Sequence, residues 1–119
     1  MIFCHIMDDF YLQGILASMK QKKWWIKQDS YTNFYEYDYI CALLVHGFSW
    51  AFMVTLPLLI LTLVYETEYF VSIILINALI HSFIDDLKAN RKMINLVTDQ
   101  IIHLFQIVFM WMIWLLSLM

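Results

Sequence analysis

The four histidines of this chain, His5, His46, His81 and His103, fall in four different apolar stretches. Three of them have an aspartate four residues away: His5 with Asp9, His81 with Asp85, and His103 with Asp99. Residues four apart on a helix share a face. The pairs extend into stripes of His5, Asp9 and Gln13, of Asn77, His81, Asp85 and Lys88, and of Asp99, His103 and Gln106. Imidazole nitrogen and carboxylate oxygen are donors for a divalent cation, and zinc is the first candidate. Zinc takes four donors, and sites that do chemistry leave one position open to water. The candidate ligands are therefore His5, Asp9, His46, His81, Asp85, Asp99 and His103. They outnumber the needs of one ion. The surplus would orient the liganding imidazoles or hold a second ion that helps clamp a reacting oxygen. Gln13, Asn77, Lys88 and Gln100 are suited to contacting an anionic substrate or steadying the ligands. A metal-bound water of lowered pKa would be the nucleophile for ester, amide or phosphoester hydrolysis.

A plainer reading stands beside this one. A histidine in a membrane helix often only hydrogen-bonds a neighbouring helix, and His46 has no carboxylate four residues away. The three His/Asp pairs argue for function, because ionisable groups inside a membrane are rare. Proton relays use the same residues. Cys4 and Cys41 lack metal-site spacing and read as packing residues. Asp8 and Asp86 fall one residue off their stripes, and Asp86 is expected to face headgroups.

The elements that carry these residues are apolar helices. Hydrophobic residues make up 63% of the chain and charged residues 14%, against roughly 25% charged in a soluble domain. Two glycines and one proline among 119 residues favour helices, and a bilayer admits only helices or closed barrels. The expectation is one all-α membrane bundle over 1–119. Its transmembrane helices are placed at 41–64, 69–87 and 101–119, each near the roughly 20 residues a span needs. Pro57 is a candidate kink in the first. Residues 1–19 form an amphipathic or fourth membrane helix. The tilted, interfacial arrangement is preferred, since aspartate at mid-bilayer costs about 3 kcal/mol. Residues 20–40 form a cytoplasmic loop whose Trp24, Trp25, Tyr31, Tyr35, Tyr37 and Tyr39 read as an interfacial belt. The start carries Asp8 and Asp9 rather than a basic signal-peptide region, and reads as mature sequence.

Lys20, Lys22, Lys23 and Lys27 precede the first span, and Lys88, Arg91 and Lys92 lie between the last two. The 65–68 turn has two acids and no base. The positive-inside rule puts both basic segments in the cytoplasm and the C-terminus outside. Lys20 to Lys27 are read as a topology signal. His46 would lie roughly 7 Å into its span and His81 roughly 9 Å into its own, so the histidines can meet in the cytoplasmic half. The net charge of −3 and the lack of a basic stripe argue against a nucleic-acid partner.

The motifs His5-x-x-x-Asp9-Phe10-x-x-Gln13, His46-Gly47, His81-x-x-x-Asp85-x-x-Lys88 and Asp99-Gln100-x-x-His103 resemble the DUF3307 family, small membrane proteins of bacteria and phages. The resemblance covers nearly the whole chain. It implies a membrane fold with linked polar motifs, an inner-membrane location and no particular reaction. Richness in Ile, Tyr, Phe and Met suggests an AT-rich source such as a phage.

The first functional expectation is a membrane-embedded, metal-dependent hydrolase. The alternatives are a non-enzymatic phage-type protein (a channel, a holin-like pore or an exclusion factor that binds a host membrane protein) and a proton-coupled carrier. In a homo-oligomeric pore the stripes would line the lumen. The bilayer is the expected partner in every case.

Overall fold

Long apolar stretches with few glycines and prolines satisfy their backbone polar groups internally as helices. The computed structural model describes residues 1–28, 33–66 and 71–119, and they are helical with no strand among them. The chain opens with α1 (Ile2–Ile6), which widens into a π-helical turn over Met7–Leu12. Two short helices follow, α2 (Leu16–Met19) and α3 (Lys22–Ile26), and then a 3-10 turn at Asn33–Tyr35. Three long helices complete the fold: α4 (Asp38–Tyr65), α5 (Val71–Ala89) and α6 (Leu96–Leu116).

The long helices start earlier or run further than the apolar stretches suggest. α4 begins at Asp38, passes Pro57 and ends at Glu66, whose φ of +52° stops it. α6 begins at Leu96, capped by the Asn95 side chain accepting from the Thr98 amide at 2.9 Å. This adds a turn that carries Asp99, and an acidic residue near a helix N-terminus is favourable. The expected loop over 20–40 holds α3 instead, while its Tyr31 lies outside the described residues, as do 67–70, which take in part of the 65–68 turn and the start of the 69–87 span.

Among the described residues two helices, α4 and α6, are long and apolar enough to cross a membrane. Only 33% and 28% of their apolar windows are buried against the rest of the chain. Phe48, Phe52, Phe105, Phe109 and Trp111 point outward, while His46, His81 and His103 point inward. The third long helix, α5, carries Asp85, Asp86 and Lys88 in its last turns.

Residues 1–19 do not form one continuous helix. Gly14, at φ +48°, separates the Ile2–Leu12 stretch from α2. That stretch is at most about 17 Å long, too short to cross a bilayer core of about 30 Å. Its His5, Asp8 and Asp9 face is buried against α4, its Phe3, Phe10 and Tyr11 are exposed, and Met1 packs on the main apolar core. That core joins Trp50, Val54 and Leu58 of α4 to Ile74 and Ala78 of α5 and to Ile107, Met110 and Trp114 of α6.

α4 and α5 approach closely at small residues, as membrane helices do. The Ser82 hydroxyl donates to the Leu43 and Ala78 carbonyls at 2.9 and 2.8 Å. A methyl group on Gly47 would collide with Ser82 Oγ and lie 2.6 Å from the Ala78 carbonyl oxygen. Gly47→Ala must push the helices apart, and overpacking of this kind costs about 1–3 kcal/mol. Thermal unfolding in detergent is expected to show a clearly lowered midpoint. An unchanged midpoint would mean the helices are not held at this separation.

Candidate metal centre

The four histidines meet in the protein interior, each fully or almost fully shielded. The centre is best built from His46, on the α4 face turned toward α1. Its Nε2 lies 3.1 Å from Asp9 Oδ1 and 3.1 Å from Nε2 of His81 on α5. Asp9 Oδ1 and His81 Nε2 are 3.7 Å apart. Asp85 Oδ2, one turn after His81, is 3.5 Å from His46 Nε2 and 3.8 Å from His81 Nε2. Donors about 2.1 Å from a tetrahedral ion lie about 3.4 Å from one another. These five separations, from 3.1 to 3.8 Å, bracket that spacing. Asp9, His46 and His81 form one buried group that can hold a metal ion, and His81, Asp85 and His103 form another.

Ring orientation supports the first group. His46 Nδ1 faces Asp8 Oδ2 at 3.7 Å, and the other Asp8 oxygen accepts from the Ser49 hydroxyl at 2.7 Å. At 3.7 Å the Asp8 carboxylate makes no hydrogen bond to Nδ1, but its charge favours a proton on that nitrogen, the tautomer that leaves the Nε2 lone pair for the centre. The His81 ring packs on two others, on Trp50 at 4.2 Å and on His103 at 4.0 Å between centroids, and those two rings are themselves 5.4 Å apart.

His103 sits at the α6 side. Its Nδ1 donates to Gln106 Oε1 at 2.9 Å, and the Gln106 amide reaches Asn77 at 3.4 Å. Its Nε2 faces Asp99 Oδ1 at 3.3 Å and Asp85 Oδ1 at 3.6 Å. None of these three inward-facing atoms has a hydrogen bond of normal length, although all are inaccessible. A lone pair set against two carboxylates needs a cation between them, either a proton or a metal.

His5 is at the centre but differently used. Its Nδ1 accepts from Trp50 Nε1 at 2.8 Å and its Nε2 donates to Gln100 Oε1 at 3.0 Å. Both nitrogens are thereby occupied. Gln100 passes the contact on, donating to Asp9 Oδ2 at 3.1 Å and Asp99 Oδ2 at 3.0 Å. Gln13 donates to the Asp9 carbonyl. Lys88 pairs with Asp99 at 2.5 Å.

Two residues that sequence spacing set aside belong here. Asp8 is buried, and its position was readable: it is three residues from His5, and i, i+3 neighbours share a face as i, i+4 neighbours do. Lys20 does not face solvent. It is buried and pairs with Asp85 Oδ2 at 2.5 Å. Asn90 at the end of α5 fixes it there, donating to the Lys20 carbonyl at 3.0 Å and accepting the Lys22 amide at 2.7 Å. No local pattern announces that contact. Asp86 stays outside the centre, bonded to Asn90 and Arg91.

The lysines alone do not balance the aspartates of the centre. Asp8, Asp9, Asp85 and Asp99 face only two ammonium groups, those of Lys20 and Lys88. Burying uncompensated charge is costly, and the remaining negative charge can be offset by protons on the buried histidines or by a divalent cation. Through His46, Asp8→Asn is expected to weaken metal binding by about 10–100-fold without removing it. Titration of the metal-free protein with Zn2+ measures this, and an unaltered affinity would remove Asp8 from the centre.

No protein-family model, curated protein or solved structure matches the chain.

Proposed function

We propose that this protein is a membrane-embedded, divalent-metal-dependent hydrolase acting on a substrate reached from the membrane surface. The observation that carries the reading is the buried trio of Asp9 Oδ1, His46 Nε2 and His81 Nε2, drawn from three separate elements and 3.1 to 3.7 Å from one another, with Asp85 Oδ2 beside the two histidines at 3.5 and 3.8 Å. Asp9, His46 and His81 are the ligands. The fourth corner is the exchangeable one, because Asp85 shares its charge with Lys20. Water entering there would be polarised by the ion and would find Asp85 as its base. His5 and Gln100 steady Asp9 and are positioning residues. Zinc suits the nitrogen and oxygen donors.

The membrane setting is supported by α4 and α6 and by the apolar exterior of the bundle. In this reading α5 is the third span, its charged end at the surface, and the N-terminal stretch is a half-length insertion beside α4. Basic residues at that end favour the cytoplasmic side of an inner membrane. The motifs also support placing the chain with the DUF3307 proteins. The stripes converge inside one protomer, which disfavours a pore, since a pore needs them turned toward a lumen between copies.

Elemental analysis of detergent-purified protein tests the metal reading. The expected content is about one divalent ion per chain, removable by chelator and accompanied by loss of lipid-ester or phosphoester hydrolysis. Folded protein that neither retains nor takes up a divalent ion overturns it.

A further inference from the structure

Behind the metal centre, where α2 meets the end of α5, lies a cavity of about 290 Å3 lined by Lys20, Lys88, Lys92, Gln13 and Gln21 and by no acidic residue. Two of its lysines are the ones that reach inward. Lys20 holds Asp85 and Lys88 holds Asp99. The third, Lys92, is exposed and has no carboxylate partner among the described residues. Its backbone has φ +58°, a conformation that a side-chain-bearing residue rarely adopts. Gly14, the other left-handed residue at this end, follows Gln13 on the opposite wall. Glycine takes up such a conformation freely, whereas at Lys92 it is strained, and strained backbone gathers at binding sites. Three cationic groups and two amides around one small cavity are a site for a phosphate group.

We propose that this cavity holds the phosphate group of a lipid headgroup, and that a divalent cation in the His/Asp centre strengthens the hold. The proposal rests on the metal reading above and names its substrate class: a phosphorylated lipid whose scissile bond faces the centre. Phosphate recognition needs free ammonium groups, and Lys20 is engaged with Asp85. A divalent ion beside Asp85 takes over that carboxylate's charge and releases Lys20 toward the cavity. Metal and phosphate then favour each other's binding, and the coupling is reciprocal. The lipid source is favoured over free phosphate because the cavity lies at one end of a bundle whose apolar side chains face outward.

The test uses the full chain reconstituted in phosphatidylcholine vesicles, with spin-labelled phosphatidic acid or spin-labelled phosphatidylcholine as probe. With Zn2+ bound, phosphatidic acid is expected to be selected several-fold over phosphatidylcholine. Lys92→Gln should reduce that selectivity about fivefold, the effect of one lysine near a membrane surface, while metal content stays at the wild-type value. Chelator should reduce it in the wild type as well. Absent selectivity in protein that carries its metal overturns the lipid proposal and leaves the metal reading standing. Protein that takes up no metal fails the metal reading, and the metal-coupled proposal with it. Equal selectivity with and without metal overturns the link through Lys20. Displacement of the labelled phosphatidic acid by millimolar inorganic phosphate assigns the cavity to free phosphate and overturns the lipid assignment.

Discussion

Replacing His81 by alanine is expected to abolish divalent-metal binding. No other side chain belongs to both groups of potential ligands. Its Nε2 lies within 3.1–3.8 Å of His46, Asp9 and Asp85, and its ring packs on Trp50 and His103. Loss of the ring also leaves a void in the stack, so a lower unfolding midpoint would not by itself distinguish a ligand from a packing residue. The response to metal does. Ligand that binds only the folded state stabilises it by about 2.7 kcal/mol at a hundredfold excess over its dissociation constant. The wild type should gain a matching increase in unfolding midpoint on addition of Zn2+, and His81→Ala should gain none. If the variant keeps both its metal and the stabilisation, His81 is a packing residue and the site lies elsewhere.

The second large effect is expected at Lys20. Its ammonium group neutralises Asp85 in a position where neither group meets solvent. Removing one partner of a buried pair leaves the other uncompensated and costs about 3 kcal/mol. Lys20→Met keeps the length of the side chain and removes the charge. In metal-free protein the unfolding midpoint should fall steeply. With Zn2+ bound, the ion stands beside Asp85 and the loss should largely disappear. Destabilisation of equal size with and without metal would mean that the cation does not reach Asp85.

Both predictions concern contacts of different legibility. The pairing of His81 with Asp85 and of His103 with Asp99 follows from helical periodicity, because side chains one turn apart share a face whatever the helix packs against. The placement of Asp9 with His46 required the N-terminal stretch to lie against α4, and the amphipathic pattern of 1–19 allowed an interfacial position equally well. What decided it was the break at Gly14 and the clamp of Asn90 on Lys20 and Lys22, which turn the N-terminus back into the bundle. The role of His5 shows the limit from the other side. Its spacing to Asp9 matches that of the other pairs, yet Trp50 and Gln100 occupy both its nitrogens. Partners 45 and 95 residues away leave no trace in local spacing.

By itself the sequence determined that this chain forms apolar helices and that each inward stripe carries imidazole and carboxylate, since both follow from residue type and helical period. The tertiary structure decided which donors face one another, that Asp8 and Lys20 join the cluster, and that His5 steadies a ligand. Those outcomes depend on where helices cross. At Gly47 the absent side chain lets α4 and α5 approach until His46 and His81 stand 3.1 Å apart. That separation joins His46 to the three stripes in one candidate metal centre.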